Sequence, residues 1–477
     1  MVFIMPEDQP KKIFIGNLDR LRPMRGRMRK NLSCLTLFIS LASVLWPSFS
    51  FGQRTSYSKD EFLRRRNALM EKAPEGMIIL FGEALPQPAA HFRQDNDFYY
   101  FTGVEDVGAI LLLAPKSKEA YLFLPQQTPR EIMMEGPNLL KDPQAKEKTG
   151  FQEIYEVSFF DEFIARNASR LGQIFHLRLS ARDSVDNARS ETQLFQARAA
   201  RSHYNAQISL DNYRIQRLKE RYPACEFKDI TPFVDVLRMI KSPEEIEVIR
   251  RNGKISAEAV KQAMLASRPG VFEYEIEAAA MHTIIKGGAK SAAYPPIVGS
   301  GPNTCIFHYE KNSRRVEEGD LVLMDFGANL DYLSMDITRT WPASGKFTPE
   351  QRKVYEVVLA VLNACLEAYK PGVTAEDVQE HVEEVMKKKG LDARGLRGGF
   401  GHFVGMGTHD VGPRPLTLRE GMVFAVEPAL YEPEKNIGIR IEDTVLVTRD
   451  GCEVLTKDVP KEIAEVEELL RKSRRQK

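Results

Sequence analysis

The stretch that decides the fold is "GDLVLMDFGANLDYLSMDITRTW", residues 319–341. It predicts two apolar strands joined by a tight turn, and each strand carries one aspartate, Asp325 and Asp336. With the turn centred between Leu330 and Asp331, an antiparallel hairpin would set the two aspartates directly opposite each other, with Cβ atoms ~4.5–5.5 Å apart. Two buried carboxylates at that distance repel each other, and a bound cation would offset both the burial and the repulsion. The alternative is that both aspartates face solvent.

Length and composition are typical of a globular protein with more than one domain. The chain has 477 residues, of which 43% are apolar and 28% are charged, and its formal net charge is +1. A chain of this length predicts two or three domains. The near-neutral charge argues against nucleic acid as a partner.

The N-terminus, residues 1–52, has the pattern of a secretory signal peptide. A basic cluster between Arg20 and Lys30 precedes an apolar run from Leu32 to Trp46, and small residues then flank Phe51. This order predicts cleavage after Gly52 and export to the periplasm or the medium, with no stable membrane association afterwards. An uncleaved membrane anchor is the alternative, although the apolar run is short for a span.

The remainder of the chain divides into two predicted domains. Residues 53–235 alternate short apolar strands with helical segments, which predicts a smaller α/β domain. Residues 236–477 interleave helices at about 243–267, 272–287, 348–369 and 374–389 with antiparallel strands, which predicts an α+β domain. The boundary is marked by Ser242, Pro243 and Glu245, a helix start with a capping box.

Further polar residues occur in apolar or glycine-rich settings of the second domain. The segment "GFGHFVGMGTHDVG" (399–412) contains His402 and His409 among five glycines. Glu427 ends an apolar strand before Pro428, and Glu442 lies inside another apolar strand. A lone histidine or glutamate in such a place is usually structural, but this domain holds several of them.

Charge balance favours a site for two metal ions. Asp325, Asp336, Glu427 and Glu442 supply four negative charges, which two divalent cations would balance, and His402 is neutral as a ligand. Oxygen-rich ligation with one imidazole suits manganese, with cobalt, zinc or iron as alternatives. Two such ions would stabilise a bridging hydroxide near neutral pH.

The motifs of both halves resemble one enzyme family. The order Asp, Asp, His, Glu, Glu resembles the pita-bread metallopeptidases. Four motifs are similar to those of the branch that contains Xaa-Pro aminopeptidase (aminopeptidase P) and proline dipeptidase: "MDITRTWP", "GTHDVG", "VEP" and "GIRIEDTVLVT". The segment "FRQDNDFYYFTGVEDVGAILLL" (92–113) is similar to the N-terminal domain of aminopeptidase P. The resemblance covers about residues 57–457.

The resemblance implies a role for each candidate ligand. Asp325 would chelate one metal, and Asp336 and Glu442 would bridge both. His402 and Glu427 would hold the other metal, and Glu427 would also take a proton from the nucleophilic water.

The resemblance also implies roles for three residues that do not bind metal. His308 would lie near the scissile bond, His409 would contact the substrate and the tetrahedral intermediate, and Arg440 would support the carboxylates and take part in binding the substrate. One position departs from the family: Gly398 stands where a further histidine is often found, four residues before His402.

The function that the resemblance implies is that of an exported Xaa-Pro aminopeptidase. It would release the N-terminal residue from peptides with proline in the second position, through hydroxide bridging two divalent metals. The alternatives are a proline dipeptidase and either a non-catalytic binding module of the same fold or a metal-free relative that acts on other C–N bonds. We expect a homo-oligomer, a dimer or a tetramer. Five aromatic residues are candidates for an apolar slot around the proline ring, with core packing as the alternative: Phe92, Phe98, Tyr99, Tyr100 and Tyr294.

Overall fold

The computed structural model describes residues 57–84, 91–172, 174–178, 201, 210–392, 394–412 and 417–475. The predicted signal peptide lies outside these residues. Among the described residues, no helix combines the length and the apolar composition needed to cross a bilayer. The four cysteines of this part of the chain carry no disulfide.

The first half is built around one mixed sheet of six strands, in the order β4-β3-β2-β1-β5-β6. Its central strands are apolar and buried, as their sequences predict: MIILF in β1 and ILLLA in β2. Its elements are α1 (Lys59–Lys72), β1 (Met77–Phe81), α2 (Asn96–Thr102), β2 (Ile110–Ala114), β3 (Glu119–Leu124), α3 (Pro129–Glu135), α4 (Ala145–Thr149), β4 (Glu153–Glu156), α5 (Phe160–Leu171), β5 (Ile174–Leu177), α6 (Leu210–Arg221), β6 (Glu226–Asp229) and α7 (Thr231–Met239).

In the described residues of the second half, long helices combine with four small antiparallel sheets. The sheets have the orders β12-β9-β8, β11-β10-β7, β13-β14-β17-β18 and β15-β16. The elements are α8 (Pro243–Ala266), α9 (Glu273–Lys286), β7 (Ser291–Ala292), β8 (Ile297–Ser300), β9 (Leu321–Asp325), β10 (Ala328–Leu330), β11 (Leu333–Ser334), β12 (Thr338–Pro342), α10 (Pro349–Ala368), α11 (Ala375–Lys389), β13 (His402–Phe403), β14 (Val423–Val426), β15 (Ala429–Glu432), β16 (Ile437–Arg440), β17 (Asp443–Val447), β18 (Cys452–Val454) and α12 (Ile463–Arg475).

The four predicted helices of the second half agree with α8 to α11 to within one residue at each end. The helix boundaries could be predicted because capping residues in the sequence mark the helix starts. Ser242 accepts a hydrogen bond from the backbone N–H of Glu245, and the Glu245 side chain accepts one from the Ser242 backbone, with Pro243 in the first turn. Thr348 and Thr374 form the same capping box at the starts of α10 and α11. The C-terminal helix α12 was not predicted.

The opening stretch forms the predicted turn, but each of the two predicted strands is interrupted. β9 and β12 belong to one sheet and β10 and β11 to another, and Asp336 lies between β11 and β12 rather than within a strand. The register also differs from the prediction. β9 and β12 pair so that Asp325 lies opposite Thr338, two residues beyond Asp336. The predicted direct opposition of the two aspartates is therefore wrong, and they are diagonal neighbours. The turn is centred one residue later than predicted, at Asp331 and Tyr332, which have φ of 47° and 69°. Positive φ at both central residues is the geometry of the tight hairpin turn that follows the natural twist of strands.

Gly327 allows the two strands to approach closely between the aspartates. A Cβ atom added at this residue would lie 1.7 Å from the carbonyl oxygen of Met335 and 3.1 Å from the amide nitrogen of Asp336. Only a residue without a side chain fits there, so this glycine helps to set the distance between the two carboxylates.

We expect Gly327→Ala to destabilise the protein and to lower its metal content, because the added methyl must push the two strands apart. Overpacking of this kind costs about 1–3 kcal/mol, and occasionally more. Thermal unfolding and elemental analysis measure both effects. Gly451→Ala is the matched control, since the nearest atom to its added Cβ is 4.0 Å away. Equal behaviour of the two variants would contradict the assigned strand spacing.

Candidate metal centre

The five predicted ligands come together from positions in or next to strands of different sheets. Asp336, His402 and Glu442 offer ligand atoms that all lie within 4.8 Å of one another. Nε2 of His402 is 3.5 Å from Oδ2 of Asp336 and 3.7 Å from Oε1 of Glu427. Asp325 joins the group through a hydroxyl that it shares with Asp336, described below. The cluster that the sequence predicted across 118 residues is therefore one site.

The electrostatics of the cluster are those of a site built for cations. Burial, followed by the charge of Asp325, raises the pKa of Asp336 well above its ordinary value. Burial, followed by the charges of Asp336 and Asp325, does the same to the pKa of Glu442. The pKa of Glu427 is also raised, by burial and by Asp325. Carboxylates that resist ionisation together are the donor set that divalent cations stabilise, so these residues fit a metal site.

His402 is oriented for ligation by its own backbone neighbourhood. Its Nδ1 donates to the carbonyl oxygen of Phe403 at 3.0 Å. A carbonyl oxygen can only accept, so Nδ1 carries a proton, and Nε2 is the ring nitrogen that faces the carboxylates. Fixing the tautomer through the second ring nitrogen is how proteins usually prepare a histidine ligand.

Arg440 is fully buried and holds the carboxylates in place. One end of its guanidinium donates to Asp325, Nε donates to the hydroxyl of Thr338 at 3.1 Å, and Nη1 donates to the hydroxyl of Tyr431 at 2.8 Å. Thr338 in turn donates to Glu442 at 2.7 Å. These contacts are consistent with the supporting role that the resemblance implies for Arg440. Its predicted contact with substrate stays a prediction.

Two hydroxyl residues of the site were missed or given another role by sequence reasoning. Tyr294, a candidate for the proline slot, instead donates its hydroxyl toward both Asp325 and Asp336. Burial and these two carboxylates raise its pKa well above the ordinary value, so the hydroxyl keeps its proton. Thr338 lies two residues after Asp336 in "MDITRTWP", and that spacing was the available signal for it.

The two predicted non-ligand histidines lie in different surroundings. The ring of His409 stands perpendicular to that of His402, with centroids 4.2 Å apart. His308 is exposed and packs edge-on against Phe307 at 4.8 Å. Phe307 also lies over the guanidinium of Arg440, 4.6 Å from its carbon, which brings the His308 loop to the rim of the site.

Gly398 is in direct backbone contact with the site. It has a φ of +65°, and a Cβ added there would lie 2.3 Å from the carbonyl oxygen of Glu427. A side chain at this position would therefore displace the backbone beside a candidate ligand. The local backbone conformation therefore favours glycine at residue 398, where the family often has histidine.

Three of the proposed slot aromatics belong to the core. Phe98, Tyr99 and Tyr100 are at most 2% exposed and lie in one hydrophobic cluster. Core packing, the alternative given from the sequence, is therefore confirmed for these three residues.

Four carboxylates and one imidazole, carried on the strand ends of an α+β domain, define a metallopeptidase of the pita-bread fold. Residues 247–449 match metallopeptidase family M24, and residues 62–175 match the aminopeptidase P N-terminal domain. The chain is 33% identical to the Xaa-Pro aminopeptidase of Escherichia coli over 88% of this chain and 99% of that protein. It is 32% identical to a Xaa-Pro dipeptidase of Pyrococcus furiosus over 75% of this chain and 90% of that one.

Solved structures agree with these sequence matches. The crystallised aminopeptidase P from E. coli, with the inhibitor Pro-Leu, superposes with a TM-score of 0.73 at 30% identity, covering 88% of this chain and 99% of that chain. The chain belongs to metallopeptidase family M24, in its aminopeptidase P group. It is a hydrolase, a metal-dependent aminopeptidase.

We expect Asp336→Asn to lower metal content and peptidase rate by at least about 10–100-fold, the cost of losing even an outer partner of a metal site. The metal-free variant should be more stable than the metal-free parent at neutral pH. The parent's raised pKa means that its folded state binds more protons than the unfolded chain above about pH 4, so its stability falls as pH rises, and the variant lacks this loss.

Elemental analysis, peptide turnover and thermal unfolding from pH 5 to 8 check this expectation. Asp331→Asn, at the tip of the same hairpin, is the control, because asparagine tolerates the positive φ there. Normal metal content in Asp336→Asn would show that this carboxylate is not a ligand.

Proposed function

We propose that this chain releases the N-terminal residue from peptides whose second residue is proline. The observation that carries the proposal is the convergence of Asp325, Asp336, His402, Glu427 and Glu442 on one site. The likeness to the E. coli Xaa-Pro aminopeptidase, which includes the N-terminal domain, supports this substrate class.

The donor set supports two divalent ions per chain, with manganese as the first choice. Four carboxylates balance four positive charges, and hard oxygen donors with a single imidazole suit manganese among the divalent metals. Asp325, Asp336, His402, Glu427 and Glu442 would hold the ions, and Asp336 and Glu442 are the most enclosed of these residues. When bound, such ions lower the pKa of a water molecule and polarise the substrate carbonyl.

Residues of this chain would accept the proton of the attacking water and stabilise the negative charge that develops on the substrate oxygen. Glu427 has the most exposed side chain of the four carboxylates, at 19%, so it is the one best placed to meet a water molecule and accept its proton. His409 and His308 would donate hydrogen bonds to the oxygen on which negative charge develops. Arg440 keeps Asp325 oriented throughout.

The bond before proline suits this arrangement. It is a tertiary amide without an N–H group, so a site that binds it cannot use the usual amide hydrogen bond and must recognise shape. Phe307 and Tyr431, whose rings are 6.3 Å apart, form an apolar edge beside Arg440 and offer such a surface.

A proline dipeptidase is the second candidate, since a Xaa-Pro dipeptidase matches over 75% of this chain. The test compares kcat/KM for Ala-Pro-Ala, Ala-Pro and Ala-Ala-Ala on manganese-loaded protein. We expect Ala-Pro-Ala to be preferred over both others, N-acetylated Ala-Pro-Ala to be uncut, and chelation to abolish turnover until metal is returned. Preference for Ala-Pro would establish the dipeptidase. Undiminished turnover after chelation would refute the metal-dependent mechanism.

The state of the mature chain is a further part of the proposal. The basic and apolar order before Gly52 supports cleavage there and export, and we propose that the mature chain forms a dimer or a tetramer. Mass spectrometry of protein from the native host should find a mature N-terminus near Gln53, and sedimentation should give the number of chains. An intact segment from Arg20 to Trp46 in cytoplasmic protein would contradict the export.

A further inference from the structure

The motif "FRQDND" (92–97) of the N-terminal half has no role in the proposed chemistry. Two of its charged residues, Arg93 and Asp97, are hydrogen-bonded to the second half, Arg93 directly and Asp97 through the guanidinium of Arg238. Both reach the segment 405–410, which contains His409. The contacts follow two separate routes.

The first route is a direct hydrogen bond from Arg93 to the backbone of the segment 405–410, hereafter called the loop. Its Nη2 donates to the carbonyl oxygen of Met406 at 2.8 Å, and its Nη1 donates to Oδ1 of Asn329 at 2.8 Å. The guanidinium also lies over the ring of Tyr332, 4.6 Å from its centroid. Arg93 thus ties the loop to the tip of the aspartate-bearing hairpin.

The second route is a chain of buried charges. Asp97, which is fully buried, accepts from Nη1 of Arg238 at 2.6 Å. The other end of the same guanidinium donates to Asp410, the residue after His409. Lys241 adds a second cation to Asp410 at 3.4 Å. Arg238 is 2% exposed, so this bridge lies out of solvent along its whole length.

Asp410 organises the loop from within. Its side chain accepts from the backbone N–H of Gly407 at 3.3 Å, and its own N–H donates to the carbonyl oxygen of Phe403 at 2.9 Å. A Cβ added at Gly405 would lie 1.9 Å from Oδ2 of Asp410, so the loop closes tightly around this carboxylate. The position of Asp410 therefore fixes the backbone from which His409 projects.

We propose that Arg93 and Asp97 of the N-terminal half are positioning residues for His409. The inference rests on the proposed function, in which His409 stabilises the charge that develops during bond cleavage. Asp97 acts through Arg238 and Asp410, and Arg93 acts through Met406. The N-terminal half is then part of the catalytic apparatus of its own chain.

The physical reason is that a hydrogen-bond donor for a developing charge must be held in place before the reaction. A displacement of about 1 Å in such a group lowers rates on the order of 100-fold. Asp97→Asn keeps the shape of the side chain but leaves Arg238 paired with one carboxylate in place of two. The guanidinium is then free to shift toward Asp410 and to move the loop.

The test is a double-mutant cycle on the full-length, manganese-loaded protein with Ala-Pro-Ala. Asp97→Asn and Arg93→Gln are each made in the parent and in a His409→Ala background. Glu61→Gln is the matched control, since Glu61 is a buried carboxylate of the same half whose charged partners, Arg64 and Arg65, bond to residues outside the segment 405–410. The readouts are kcat, KM, bound metal per chain and the melting temperature.

In the parent, both motif variants should lower kcat on the order of 10–100-fold, with KM and bound metal little changed, because only the transition state uses His409. In the His409→Ala background they should change kcat by less than about twofold, since the group that they position is gone. Glu61→Gln should leave kcat unchanged in both backgrounds. A purely structural role would lower the melting temperature and would act equally in both backgrounds.

The outcomes separate the inference from the proposed function. If His409→Ala keeps the full kcat, the proposed role of His409 is wrong and the inference is wrong with it. If His409→Ala loses activity but the motif variants do not, only the inference is wrong. Should Asp97→Asn fail to fold, Arg93→Gln decides the question, because it reaches the loop by an independent hydrogen bond.

Discussion

The mutual repulsion of four carboxylates in one enclosed site is the constraint on which the rest of the catalytic half depends. Asp336 and Glu442 are at most 5% exposed, so water cannot screen them. The protein gathers donors around them instead. Arg440 and Thr338 connect Asp325 with Glu442, and Tyr294 keeps its proton between the two aspartates. Even so, the pKa values stay raised, which means that the protein leaves part of the charge for cations to neutralise.

The same constraint explains why the site is assembled from strand ends. Each candidate ligand lies in a strand or within two residues of one, so sheet pairing restrains the backbone that carries it. Asp325 ends β9, His402 begins β13, and Glu442 lies between β16 and β17. Rigid elements of this kind keep ligands in place when the charges repel one another.

Much of the fold and the grouping of the candidate ligands were predictable because the signals are local. Capping residues in the sequence mark where helices begin. A carboxylate buried in an apolar strand costs folding free energy unless it is paired or binds a metal, so it indicates a functional site. The hairpin register was not predictable by the same means. It depends on positive φ at Tyr332, and the ring of that residue stacks on Tyr99 at 3.5 Å, a partner 233 positions earlier in the chain. The roles of the Tyr294 and Thr338 hydroxyls were not predictable for a similar reason. They depend on which carboxylates the folded chain brings next to each hydroxyl group.

The stacking of Tyr332 on Tyr99 bears on how such proteins can be recombined. A large aromatic residue at positive φ is an unfavourable choice for a two-residue turn, where asparagine and glycine are preferred. Here the other half of the chain supplies the compensating contacts, through Tyr99 and through the guanidinium of Arg93. The two halves are therefore not interchangeable modules. A catalytic half joined to a foreign N-terminal half would inherit a turn selected for a neighbour that is no longer there, and would need a new turn sequence before its aspartates could regain their spacing.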